Sequence, residues 1–266
     1  MWSVKDINGN PIEHLSASSL KVWLECPEKW RQDKILGKEE VPNVYLVWGR
    51  AHHAAVAVNM RQKVHSGVDC AWSDVKDEFH RALDEEIVPE MEWRSETESN
   101  VRRVGEDLLL AYHTVAAPRI QPISAEEEFL VNFGEFDVAI KGIIDIETEY
   151  GVEDVKTSSR APRSKLPSDY LLQGHIYQLV KRKPVSWTIC VKKKPPEIMR
   201  PPEHNFLQIP FYSDKQAQKR HALKRMIGQI EWFYNLYGPE RPWEGRGVYT
   251  DMCWKCSYKQ ECVWYA

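Results

Sequence analysis

Two short segments in the middle of the chain constrain its fold more than any bulk property. Lys141-Gly142-Ile143-Ile144-Asp145-Ile146-Glu147 and Val152-Glu153-Asp154-Val155-Lys156-Thr157 both read as β-strands that carry an acid within an apolar run. The two-residue period of a strand puts Asp154 and Lys156 on one face. If the two strands pair, Asp145 meets Asp154 on that face with Lys156 beside them. Carboxylates held together raise each other's pKa unless a cation sits between them. A hard, oxygen-preferring ion such as Mg²⁺ or Mn²⁺ resolves that conflict. A D-x-K triplet alone is met more often as solvated acids with a lysine ion-pair partner, so the rest of the chain has to decide.

Around this pair the periodicity lays out a mixed architecture. Ser16 or Ser18 caps a helix that runs through Leu20, Val22, Trp23 and Leu24 to about Ile35, stopped by Gly37. Further helices are expected over 45–64, 73–87 and 98–116, the last from the spacing of Val101, Val104, Leu108, Tyr112 and Val115. Strands follow over 123–131, 136–148 and 152–156, then a helix over 169–181 and strands over 187–191 and 206–211. A long helix over 214–237 precedes an irregular tail rich in Gly, Pro, Trp and Cys. The fold class is therefore α/β, a mixed sheet with helices packed on it. Its expected regions are a helical 1–118, a core at 119–212, and a helix with a cysteine-bearing tail at 213–266, forming one integrated domain.

A chain of 266 residues with 42% hydrophobic and 28% charged residues is long enough for such a domain. Its net charge of −3 neither advertises nor excludes a nucleic-acid partner, because an acidic metal site and a local basic track cancel in the sum. No apolar run approaches the roughly 20 residues of a membrane span. The first residues, with Lys5, Asp6, Asn8 and Asn10, do not form a secretory signal, so a cytoplasmic location is expected. Cysteine usage fits no disulfide framework. Cys253-x₂-Cys256-x₅-Cys262 lacks one thiolate of a four-ligand set, and the lone Cys26 near the other end can supply it. Four thiolates suit either zinc or an iron–sulfur cluster, and spacing alone does not separate them. Cys70 and Cys190 read as small buried hydrophobes.

Two more features join the central pair. Gly49 precedes His53 by four residues, with His52 between small neighbours, and Gln173 and Tyr177 share one face of the helix after the D-x-K strand. In chain order, G-x-x-x-H, G-I-I-D, D-V-K and Q-x-x-x-Y resemble the motifs of the RecB-type branch of the PD-(D/E)XK nucleases. That branch includes the nuclease domains of bacterial recombination helicase-nucleases and the CRISPR adaptation exonucleases. The opening Leu15-Ser16-Ala17-Ser18-Ser19-Leu20 with Cys26-Pro27 resembles its N-terminal signature, so the likeness spans residues 15 to 262. Asp154 stands where many relatives have Glu; both serve as metal ligands.

The resemblance implies a restriction-endonuclease-like sheet and a Mg²⁺- or Mn²⁺-dependent deoxyribonuclease, most often a single-strand exonuclease. It implies that His53, Asp145, Asp154 and the Val155 carbonyl hold the metal. Lys156 would orient the attacking water or stabilise phosphate charge; a lysine next to a metal and partly desolvated can have its pKa lowered, which suits proton transfer. Gln173 and Tyr177 would hold the DNA backbone. His52 falls where relatives carry an apolar residue. Cys26, Cys253, Cys256 and Cys262 are implied as ligands of a structural [4Fe–4S] cluster that joins the chain ends and closes the fold over its substrate channel. The implied partners are single-stranded DNA with a free end and proteins of recombination, repair or CRISPR adaptation.

Glu126, Glu127 and Glu128 read as a charged strand edge, of which one could support a metal-bound water. Two basic runs are candidate DNA contacts: Lys181, Arg182, Lys183 and Lys192 to Lys194, then Lys215, Lys219, Arg220, Lys224 and Arg225. The sequence shows no G-x-x-x-x-G-K-[ST] phosphate loop, so no helicase motor is expected. Two other readings compete: a non-catalytic DNA-end-binding scaffold on the same fold, and a zinc-stabilised interaction module whose acids are surface charge.

Overall fold

The first helix stops well short of Ile35, and Pro27 is the reason. A residue before proline is pushed out of the helical region, and Cys26 is extended at φ −163°, ψ 118°. The computed structural model, which describes residues 2–245 and 251–265, therefore has α1 at Ala17–Glu25 and α2 at Pro27–Trp30, followed by a π-helical turn over Arg31–Ile35. Ser16 caps α1 in a reciprocal box with Ser19. Cys26 thus occupies an extended joint between two helices. Part of the cysteine-bearing tail, residues 246–250, lies outside the described residues.

The chain forms two compact units. The larger comprises Val41–Glu128 and Ile143–Phe211. Its helices are α3 (Val44–Ser66), α4 (Trp72–Glu86) and α5 (Glu98–Val115). Asn43 caps α3 by accepting from the Tyr45 and Leu46 amides, and Gly67 ends it at φ 76°. Trp48, Phe79, Leu108 and Tyr112 lie in the core of this unit with Ile146 and Val155 from the strands. Gly105 on α5 lets the helices approach: a Cβ there would lie 2.2 Å from Phe79 Cζ and 2.8 Å from Trp48 Nε1. Gly105→Val is expected to destabilise by about 1–3 kcal/mol despite better helix propensity. Thermal melting should show a drop of several degrees, and an unchanged or raised midpoint would contradict this packing.

The strands are β1 (His14–Leu15), β2 (Pro122–Val131), β3 (Ala139–Thr148), β4 (Val152–Ser158), β5 (Val185–Val191), β6 (Glu197–Met199) and β7 (Gln208–Ile209). They make a seven-stranded mixed sheet in the order β1-β3-β4-β5-β6, with β2 on β3 and β7 on β5. β3 and β4 are antiparallel with Ile146 opposite Glu153, as the short connection requires. β4 and β5 are parallel from Val152↔Val185 to Ser158↔Val191, and α6 (Ser168–Lys181) supplies the crossover between them. The strand expected over 206–211 is reduced to β7, because Asn205–Leu207 takes a 3₁₀ turn.

The other unit comprises Met1–Glu40, Phe129–Gly142 and Tyr212–Ala266, and contains α7 (Gln216–Tyr237) and the short α8 (Asp251–Trp254). Trp30 stacks on Trp243 at 5.7 Å, and Trp23 meets Phe233 edge-on at 5.0 Å. Buried Glu28 grips Arg31 through two hydrogen bonds of 2.9 and 2.8 Å and accepts the Trp243 amide at 2.6 Å. The Tyr258 hydroxyl donates to the Lys38 carbonyl at 2.9 Å. Early and late parts of the chain are therefore joined here by protein contacts. Among the described residues, no helix is long and apolar enough to cross a membrane.

Candidate metal centre and active site

β3, β4 and α3 bring the expected acids and histidine together. With Ile146 opposite Glu153, the antiparallel register carries Asp145 to the level of Asp154. Asp145 Oδ2 accepts the Val155 amide at 2.9 Å and lies 3.4 Å from His53 Nδ1. Asp154 is fully buried. Lys156, two residues on and on the same face, donates to Asp154 Oδ1 at 2.9 Å and lies 2.7 Å from Oδ2. No aligned hydrogen bond reaches Oδ2, which leaves a buried carboxylate oxygen with spare acceptor capacity.

One member of the group was not assigned a ligand position from sequence. His53, Glu126 and Asp145 form a set whose ligand atoms all lie within 4.8 Å of one another. Glu126 arrives through a left-handed backbone at φ 53° in β2, a conformation that costs a non-glycine residue about 1–2 kcal/mol. Strict alternation gives Glu126 and Glu128 the same face, so sequence alone could not single it out. Glu127 is directed elsewhere, to Lys181 at 2.6 Å. The donor set of one imidazole and carboxylates, with the buried Asp154 carboxylate beside it, fits a hard divalent cation.

The electrostatics describe a site short of positive charge. Burial raises the pKa of Asp154 to about 6, with Asp145 adding to the rise and Lys156 opposing it. Burial likewise raises Asp145. Glu126 is pushed up to about 7 by burial and then by Asp145. Burial lowers His53 to about 4, with Lys156 adding to the effect, so its imidazole is neutral and able to ligate near pH 7. For Lys156 burial works against the charge, but Asp154 and Asp145 outweigh it and raise the pKa. With no cation between them, the carboxylates favour the Lys156 ammonium, a form suited to stabilising negative charge.

The remaining candidates separate. Tyr177 is buried, and its hydroxyl donates to the Ile143 carbonyl at 2.6 Å while accepting from Gln173 Nε2 at 2.8 Å. That hydroxyl braces β3 two residues before Asp145. Only Gln173 of the pair is half-exposed. His52 is fully buried against Tyr112, ring centroids 5.9 Å apart, and burial lowers its pKa to about 3; it belongs to the helical core. The basic stretch after Tyr177 is not one track. Lys181 and Lys183 pair with Glu147 at 2.6 and 2.7 Å beside the start of β5, whereas Lys192 follows its end. A seven-residue strand puts about 20 Å between the two groups.

The sequence of the chain matches the PD-(D/E)XK nuclease superfamily over residues 14–263. The chain belongs to that superfamily. Nucleases of this superfamily use divalent metal ions, which agrees with the His53, Glu126 and Asp145 set. The fold is similar to the crystal structure of a protein from Eubacterium rectale named, provisionally, as an exonuclease. The TM-score is 0.51 with 15% identity over 91% of this chain and 88% of the other. At that identity the likeness is one of fold, and it places this PD-(D/E)XK chain on the expected mixed sheet flanked by helices. No curated protein matches the chain.

The four cysteines lie in the smaller unit. Cys26, Cys253, Cys256 and Cys262 all line one cavity of about 230 Å³, with Lys29, Lys255 and Lys259 on its walls. None is in a disulfide. Burial raises the thiols of Cys256 and Cys262, and in both cases Cys26 adds to the rise.

Proposed function

We propose that the chain is a Mg²⁺- or Mn²⁺-dependent deoxyribonuclease of the RecB-type branch that prefers single-stranded DNA with a free end. The observation that carries this reading is the set His53, Glu126 and Asp145, its ligand atoms within 4.8 Å of one another, beside the Asp154–Lys156 pair. When bound, a divalent ion supplies an activated water and neutralises charge on the phosphate. In this reading His53, Glu126, Asp145, Asp154 and the Val155 carbonyl hold the ion. The Lys156 ammonium stabilises the phosphate or orients the water. Gln173 touches the DNA backbone, and Tyr177 holds β3 in place. The non-catalytic scaffold loses ground, because a chain kept only for DNA-end binding has no need of an imidazole and two carboxylates held at ligand distances.

The cysteine cavity is read as the seat of a [4Fe–4S] cluster. All four border a cavity of about 230 Å³. Four thiolates suit either zinc or an iron–sulfur cluster, and the resemblance to the RecB-type branch is what favours the cluster. The RecB-type reading would also bring protein partners of recombination, repair or CRISPR adaptation.

End dependence is tested with end-labelled linear single strands, duplexes and covalently closed single-stranded circles in Mn²⁺. The expected order is fast cleavage of the linear strand, slower cleavage of the duplex, and little or none of the circle. Equal rates on circle and linear strand would make the protein an endonuclease and overturn the free-end preference.

A further inference from the structure

Among the described residues, Lys192 is a cation held against aromatic rings rather than in an ion pair. Its Nζ lies 3.3 Å from the Trp48 ring centroid and 5.1 Å from that of Tyr45. Among the described residues it forms no ion pair, and Glu96 is the acid whose field reaches it. Arg94 approaches Tyr45 from another segment, at 5.8 Å from the ring centroid. Trp48 is buried, whereas Tyr45 is 36% exposed, so this cationic and aromatic cluster opens to solvent on the Tyr45 side.

The cluster is tied to the candidate active site by both of the elements that carry it. The Lys192 amide donates to the Ser158 carbonyl at 2.8 Å, fixing Lys192 at the end of β4 two residues beyond Lys156. Tyr45 stands on α3, the helix of His53, and eight helical residues give a rise of about 12 Å. A single nucleic-acid strand covers that distance within a few nucleotides. Bases stack on exposed aromatic faces whatever their sequence, and lone lysines beside them take the phosphates.

We propose that Lys192, with Tyr45 and Arg94, forms a nucleotide subsite next to the cleavage site, in which the lysine binds a backbone phosphate and Tyr45 offers a face to a base. This rests on the nuclease reading and extends it to a positioning element for the strand. Burial lowers the pKa of Lys192 to about 8, with Glu96 opposing. The groups that face it are Tyr45 and His52 on α3, the latter neutral near pH 7, with Arg94 and Glu96 from the segment before α5. The ammonium form prevails below that pKa, so phosphate binding weakens as pH rises through about 8.

The test measures steady-state cleavage of an end-labelled linear single-stranded oligonucleotide with Mn²⁺ by wild type, Lys192→Met and Lys192→Arg, across salt and from pH 7 to 9. Lys192→Met is expected to raise KM about tenfold, the scale of one charge-assisted hydrogen bond, and to reduce the salt slope by about 0.7. Lys192→Arg should restore the KM and remove its rise above pH 8. A Lys192→Met protein with wild-type KM and salt slope would show that the cation only packs on the rings, and would overturn the subsite. Wild type that cleaves no strand at all would instead remove the nuclease reading, and the subsite with it.

Discussion

Asp154→Asn is expected to lose divalent-metal-dependent cleavage by about a thousandfold while keeping its fold. The magnitude follows from removing several kcal/mol of transition-state charge stabilisation. Asp154 is fully buried, and the Lys156 ammonium lies 2.9 Å from Oδ1 and 2.7 Å from Oδ2. Asparagine keeps the shape, removes the charge, and replaces one acceptor by a donor aimed at the same place. The loss should therefore be of ion and of Lys156 alignment together. Glu126→Gln should lose less, about ten- to a hundredfold, the usual scale for a group that supports rather than centres a metal site. Cleavage of labelled DNA gives the rates, and circular dichroism checks the fold. Mn²⁺-induced thermal stabilisation, about 2.7 kcal/mol at a hundredfold excess over Kd for the wild type, should vanish in Asp154→Asn. Wild-type cleavage by Asp154→Asn would remove that residue from the site.

In the proposed iron–sulfur reading, Cys26→Ser is expected to abolish iron binding and leave the chain folded. Anaerobically purified wild type should be brown with about four irons per chain, and the variant colourless. The survival of the fold follows from contacts within the same unit that do not involve sulfur. Glu28 holds both Arg31 and the Trp243 amide, Trp30 stacks on Trp243, and Tyr258 reaches the Lys38 carbonyl. A cluster bound there would therefore add to a junction that the protein already makes, rather than provide the only link between the chain ends. Stoichiometric zinc without iron in the anaerobic wild-type protein would contradict the cluster. Unfolded Cys26→Ser would contradict the independence of the junction.

How much of this was legible in the sequence depended on whether the signal was local. The strand pair around Asp145 and Asp154 declared itself through apolar runs with misplaced acids, and the facing of Asp154 and Lys156 followed from the strand period alone. His53 was singled out through its motif and lies on α3 beside Asp145. Glu126 was named only as one of three glutamates that could support a metal-bound water, because a run of three carries no period and its direction is set by a left-handed residue that no pattern announces. The break at Cys26 was available in the following proline, but the helical spacing of the flanking residues hid it. Lys181 and Lys192 looked like one basic run because sequence distance conceals a strand between them. Lys192 itself stands out only once Trp48 and Tyr45 are seen around it.

The central claim, metal-dependent phosphodiester hydrolysis at the His53, Glu126, Asp145 and Asp154 centre, is tested most directly by one reversible experiment. An end-labelled linear single strand is incubated with wild-type protein in Mn²⁺, in EDTA, and in EDTA followed by excess Mn²⁺. The account predicts cleavage, none, and cleavage again. Cleavage that persists in EDTA, or its absence with Mn²⁺ and with Mg²⁺ in protein that keeps its fold, would contradict it.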